Sequence, residues 1–294
     1  MTDCRNILAV TDFSASSTNA AWRAAMVAAS HEARLGLLHV VPPRAPVDAA
    51  SGRLSTLADG LRRQFGVAVT WRALQGDALA ESVKAARGAD LLVIGSQRRN
   101  ALASLLLGTP AERLIRMARV PVLVVKREAE HAYRRVLVPV QLPDGARSLV
   151  GSALDFARGA EVEVFHALGV RHEVSLRATD VPEPVLRRSR NLALGRARAS
   201  LDALIDAAGG KPRARSAVGF GQAAAVSLYK EAVMAPDLVV IGKRQRSLLA
   251  DFFLGSVTQR MLADSRADVL VLPMQAGAAR PARGLLCYRP PELN

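Results

Sequence analysis

The stretch ADLLVIGSQRRNALASLLLGTPAERLIRMARVPVLVV, Ala89 to Val125, decides the fold because it occurs twice. It returns without a gap 147 positions later as PDLVVIGKRQRSLLADFFLGSVTQRMLADSRADVLVL, Pro236 to Leu272. In each copy a short apolar run ends at a glycine (Gly95, Gly242). A second glycine follows (Gly108, Gly255), then a helical pattern and a last apolar run. The repeat continues outward: NILAVTDFS from Asn6 matches RVLVPVQLP from Arg135, and LGLLHVV from Leu35 matches VEVFHAL from Val162. A repeat of this length means two copies of a whole domain, not a short solenoid unit. We expect domains over 1–128 and 133–275, a joint in the polar EAEHAY of 128–133, and a tail over 276–294.

Within copy one, short apolar runs near 6–11, 35–41, 67–73, 90–95 and 121–126 alternate with helical patterns near 16–33, 53–65, 77–88 and 110–118. Alternation of this kind predicts an α/β fold, a parallel sheet with helices on both faces. The runs are nearly continuous Val, Ile and Leu, as strands covered on both faces should be. Copy two repeats the plan with a longer, arginine-rich excursion between about 169 and 212.

Composition narrows the function classes. No apolar run approaches the ~20 residues that span a bilayer, and the opening MTDCRNILAV lacks the pattern of a signal peptide. Cys4 and Cys287 show no metal or CxxC spacing, so a cytoplasmic location is expected. The formal charge of +14 includes a cluster at Arg187, Arg188, Arg190, Arg196 and Arg198. Such a surface attracts nucleic acid or acidic membranes nonspecifically. No aromatic interleaving or recognisable motif accompanies it, so specific nucleic-acid binding is not expected and a solvated helix face is the plainer reading.

In an open parallel sheet, ligands bind beyond the carboxyl ends of the strands, where strand order reverses. Thr11 and Asp12, Val40 and Val41, and Gly95 sit at those ends in copy one. Ser256 with Gln259, and Thr109 with Glu112, read as capping boxes, and Pro110 suits a first helical position. A capped helix therefore accounts for Gly-Ser and Gly-Thr locally. The same geometry presents free N–H groups and a positive dipole end to a phosphate. Capping does not account for Gly95 and Gly242 at a fixed distance upstream.

These motifs together (ILAVTDFSASSTNA, LLHVV, LVIGS, LLLGTPAERL…VPVLVV) resemble the universal stress protein family, nearly end to end and twice over. Its nucleotide-binding members carry Gly, two residues, Gly, nine residues, Gly, then Ser or Thr. The resemblance implies two Rossmann-like domains of the adenine nucleotide alpha hydrolase type, each a five-stranded parallel sheet. It further implies intramolecular pairing of the domains through their last strands, VPVLVV and ADVLVL, and allows a homodimer. In some members ATP occupies the crevice, so ATP or AMP, with or without Mg, is the implied cofactor and adenine nucleotide the implied partner.

Carried over by position, copy one supplies Asp12, Val40, Gly95, Gly108 and Thr109, with Arg98 in place of the middle glycine and Pro110 where valine is usual. Copy two supplies Gly242, Gly255, Ser256 and Val257, with Gln245 for the middle glycine, Gln141 for the aspartate and Ala167 where copy one has Val40. Arg98 either replaces lost backbone contacts with a charge-assisted bond or fills the crevice and pairs with Asp12. Lys243, Arg244 and Arg246 are phosphate partners or surface charge. His39 and His166 occupy equivalent strand positions and read as structural; no metal-ligand spacing surrounds them. Ser14, Ser16 and Ser17 suit helix capping. No catalytic residue and no base for hydrolysis is identifiable, though weak ATPase activity stays open. Two functions follow: a stress-response protein binding an adenine nucleotide in one or both crevices, or a nucleotide-independent interaction scaffold.

Overall fold

The computed structural model describes residues 4–96, 110–142, 145–169, 183–244 and 255–274. In domain one, strands β1 (Asn6–Val10), β2 (Arg34–Val41), β3 (Val69–Gln75), β4 (Leu91–Gly95) and β5 (Val122–Val125) alternate with helices α1 (Ala15–His31), α2 (Asp48–Phe65), α3 (Ala78–Ala86) and α4 (Pro110–Met117). Domain two carries β6 (Arg135–Val140), α5 (Ala146–Phe156), β7 (Glu161–Leu168), α6 (Glu183–Ala207), β8 (Ala214–Phe220), α7 (Ala223–Met234), β9 (Leu238–Arg244), α8 (Ser256–Asp264) and β10 (Asp268–Met274). The expected elements are all present within a few residues of their predicted ends.

Strand order is β3-β2-β1-β4-β5-β10-β9-β6-β7-β8. Each domain therefore orders its strands 3-2-1-4-5, parallel throughout, and reverses direction of growth between its first and fourth strands. Those reversals, β1/β4 and β6/β9, open the two crevices. At the centre β5 pairs antiparallel with β10, Val122 opposite Val271 and Val124 opposite Val269. Neither of these apolar strands is left as an open edge, which would template further pairing.

Alternate residues of a strand point to opposite faces. In β4, Leu91 and Val93 enter one core, with α1, α2, α5 and α6, while Leu92 and Ile94 enter the other, with α3, α4, α7 and α8. Double coverage is why these strands read as unbroken apolar runs.

Equivalent aspartates start the fourth strands. Asp90 Oδ2 accepts from the N–H groups of Arg5 and Asn6 (2.9 and 2.8 Å), and Asp237 Oδ2 from those of Arg134 and Arg135 (2.9 and 3.0 Å). Each ties the entry of a first strand to its neighbour at the end away from the crevice. Asp268, without a counterpart in domain one, holds the joint. Its Oδ1 accepts from the N–H of Lys126 and of Arg127 (2.8 and 2.9 Å), and its Oδ2 from the Tyr133 hydroxyl (2.7 Å). Arg23, reaching across from α1, lies with Nε 3.2 Å from the same oxygen. It donates to His131 O and Glu128 O (2.6 and 3.0 Å), so the joint is held from both sides.

Candidate functional site

In domain one the chain leaves β1 through Asp12 and turns at Phe13, whose φ is 62°. The Asp12 carboxylate is engaged locally: Oδ1 accepts from the Ser17 hydroxyl (2.6 Å) and from Ser14 N–H (3.0 Å). Ser14 is the N-cap of α1 and accepts from Ser17 N–H. Burial pushes the Asp12 carboxyl up, but the bonds from Ser14 and Ser17 outweigh it and bring it down to about 2. The His39 ring stands 4.5 Å from that of Phe13, and Arg53 covers the Phe13 ring at 4.0 Å. His39 Nδ1 donates to Thr11 O (2.7 Å) and His166 Nδ1 to Val140 O (3.0 Å), each binding a second strand to the end of a first. That is the structural part expected of both.

Gly95 has a packing reason to be glycine. A Cβ there would stand 2.7 Å from the Ser16 carbonyl oxygen, because α1 crosses directly over the end of β4. We expect Gly95→Ala to cost about 1–3 kcal/mol in urea unfolding, the usual penalty of overpacking; a stability unchanged from wild type would mean that α1 does not sit there. Val40 lies half-buried at the end of β2. Arg98, Gly108 and Thr109, the remaining expected residues of this crevice, lie outside the described residues, as does Gln245.

Domain two is where the expected residues meet. A cavity of about 410 Å³ is lined by Gln141, Ala167, Gly242, Gly255, Ser256 and Val257, together with the apolar walls Val140, Leu149, Phe165, Ile241 and Met274. Thr258 and Ser227 complete its polar lining, and sequence reasoning missed both. Their signal was faint: one hydroxyl three places after a glycine, another inside a helix. Thr258 Oγ1 donates to Gly242 O (3.1 Å), tying the start of α8 to the end of β9.

Two expectations need correction here. Ser256 is not the cap of its helix: Gly255 is the N-cap, at φ −60° and ψ 161°, with no side-chain cap bond. Gln259 N–H bonds Gly255 O (2.9 Å) as the first helical turn, leaving Ser256 one step inside, with its side chain exposed. The first N–H groups of a helix have no partner within it, and at α8 no side chain of the described residues caps them. Around Gly255 a Cβ would find nothing within 4 Å, so that glycine has no packing reason.

Lys243 is neither a phosphate partner nor surface charge. It is fully buried, and its Nζ donates to Ile115 O (2.5 Å) and Ala118 O at the far end of α4. Burial pushes its ammonium down to about 7. Because the folded value lies below the ordinary 10.5, this group's stability contribution is full above pH 10.5 and is lost as pH falls towards 7. Cys4, pushed up to about 12 by burial and by Asp90, acts in the opposite sense above its ordinary 9.0. Unfolding midpoints should therefore rise from pH 7 to 9, and Lys243→Met should abolish that rise. A flat wild-type profile over that window would refute the assignment.

The arginine cluster lies on α6. No residue of 183–196 is buried, Arg187 pairs with Glu183 at 3.9 Å, and Arg190 covers the Phe220 ring at 4.3 Å. Among the described residues no group of acidic, His or Cys side chains could hold a metal, and no helix is long and apolar enough to cross a membrane.

Fold and crevice thus define a tandem pair of Rossmann-like domains, with an uncapped helix start facing one cavity. The model of the universal stress protein family matches residues 4–126 and again 132–273, and the chain belongs to that family. Among solved structures, a universal stress protein from Archaeoglobus fulgidus DSM 4304 matches with TM-score 0.64 and 18% identity, over 92% of this chain and 98% of its own. A protein of unknown function from Pseudomonas aeruginosa PAO1 matches with TM-score 0.66 and 21% identity, over 92% of each chain. At these identities the likeness is one of fold. No curated protein matches the chain.

Proposed function

We propose that this tandem universal stress protein is a cytoplasmic stress-response regulator that binds an adenine nucleotide, ATP or AMP, in the crevice of domain two. The observation that carries the reading is the uncapped start of α8 opening on the cavity, beside a Gly255 that local packing does not require. Free N–H groups and the positive helix end take the phosphate. The apolar walls Val140, Phe165 and Ile241 take the base, and Gln141 offers an uncharged hydrogen bond to the sugar. Gly242, Gly255, Ser256 and Val257 form the phosphate side. In domain one Asp12, Val40 and Gly95 define the second crevice, where Asp12 Oδ1 is already held by Ser14 N–H and the Ser17 hydroxyl. In this reading the nucleotide acts as a signal, with weak ATPase activity left open. The domains act as one unit through β5 and β10. The test is to purify the protein without added nucleotide, denature it, identify any small molecule released, and titrate the empty protein with AMP and MgATP by calorimetry. Release or binding of either supports the reading; an empty protein that binds neither overturns it.

A second reading, an interaction scaffold, is favoured by α7. This helix turns its charges inward: Glu231 is buried against Arg266 N–H and Ala267 N–H (2.7 and 3.0 Å), and Lys230 pairs with Glu163. Outward it shows Ala225, Tyr229, Ala232 and Val233, with Tyr229 71% and Val233 65% exposed. Such a face is usual where another protein docks.

A further inference from the structure

Two lysines cross between the domains. Lys243, the residue after Gly242, donates to Ile115 O and Ala118 O where α4 ends. Lys126, the residue after β5, donates from Nζ to Leu262 O (2.6 Å) and Ser265 O (2.9 Å) where α8 ends. The acceptors are repeat counterparts, 147 positions apart in both cases. The donors are not: Lys243 corresponds to Ser96, and Lys126 to Pro273. Unrelated positions supply the same bond to the same helix end, so the bond is required by the helix and not inherited from the strand.

What the two helices share is their other end, which follows the second glycine of each crevice. We infer that Lys126 is a positioning residue for the crevice of domain two, holding α8 from domain one so that the amides of its first turn stay aimed at the ligand. This rests on the reading of that crevice as an anion site. Nine residues make α8 a rod of about 13 Å, too short for its two ends to move independently. At its start Thr258 is tied to Gly242 O (3.1 Å), and at its close Ser265 Oγ donates to Glu231 Oε1 (2.9 Å). Lys126 adds the only contact among these three that comes from the other domain. Its ammonium also meets the negative end of the helix dipole, while an anion at the start meets the positive end. Amides that bind an anion must be held within roughly 0.5 Å to stay productive. Domain two's site is incomplete without domain one, and Lys243 holds α4 in the same way in return.

The test uses the full chain. Calorimetry with AMP and with MgATP compares wild type, Lys126→Met and Lys126→Arg, and amide exchange follows residues 256–259 in the ligand-free protein. The expected result is a loss of about five- to tenfold in affinity for Lys126→Met, the low end of a typical coupling between sites. Faster exchange in the first turn of α8 accompanies it, and Lys126→Arg, which can donate to the same carbonyls, restores both. If Lys126→Met fails to fold, Lys126→Gln carries the comparison. A variant with lower melting temperature but wild-type affinity and exchange overturns the inference and leaves the crevice reading standing. Wild-type protein that binds neither nucleotide removes the reading and the inference together.

Discussion

Asp268→Ala is expected to destabilise the chain by about 3–5 kcal/mol, the cost of breaking a buried ion pair by removing one partner. The carboxylate has no exposed surface, and Arg23 beside it is only 3% exposed. Without it, the guanidinium stays buried with its charge uncompensated. The Tyr133 hydroxyl and the N–H groups of Lys126 and Arg127 lose their acceptor as well. For a protein of this size the loss corresponds to a fall of roughly 10 °C in the unfolding midpoint. The double variant Arg23→Met with Asp268→Leu should recover only the part due to the uncompensated guanidinium, because the Tyr133 hydroxyl and the N–H groups of Lys126 and Arg127 still lack their acceptor. Scanning calorimetry decides. A single variant within about 0.5 kcal/mol of wild type, an ordinary surface effect, would show that this cluster does not hold the joint.

Gly255→Glu should abolish nucleotide binding and leave the fold intact. Its φ of −60° suits any residue, and a Cβ there meets nothing within 4 Å, so the variant should fold with a near wild-type midpoint. The added carboxylate, however, lands at the start of α8 beside the cavity. There it repels phosphate, and it can itself take the N–H groups that phosphate would use. We expect a loss of at least about a hundredfold, since a like charge is added and an anion-binding contact removed, each worth a kcal/mol or more. Equilibrium binding of labelled AMP or ATP to wild type and variant gives the answer. Retained affinity in a folded Gly255→Glu protein would place the nucleotide elsewhere, with domain one next to be tested.

Much of this molecule was legible from local pattern. Doubly covered strands must be apolar at every position, so Leu91 to Ile94 and Val122 to Val125 announced themselves, and the repeat at 147 positions doubled the signal. Ser14 was readable as a helix cap because such a bond joins near neighbours, whereas the engagement of Asp12 with Ser14 and Ser17 was not read from the sequence. The candidate site was legible as a set of positions and less so as a geometry. Ser256 looks like a cap because the Ser-x-x-Gln spacing is correct, yet the backbone starts its helix one residue earlier and leaves the hydroxyl outside.

Sequence by itself determined the α/β class, the duplication and the family. Each depends on periodicity or on short-range spacing, which a linear reading preserves. Only the tertiary structure decided what Lys243, Lys126 and Asp268 do. Their partners lie 125 or more residues away for Lys243 and 135 or more for Lys126 Nζ, in the other domain. A charged residue next to a glycine-rich loop looks the same in sequence whether it faces phosphate or a helix end. The backbone register of β9 and β10 turns Lys243 inward, and burial then makes the helix carbonyls its partners.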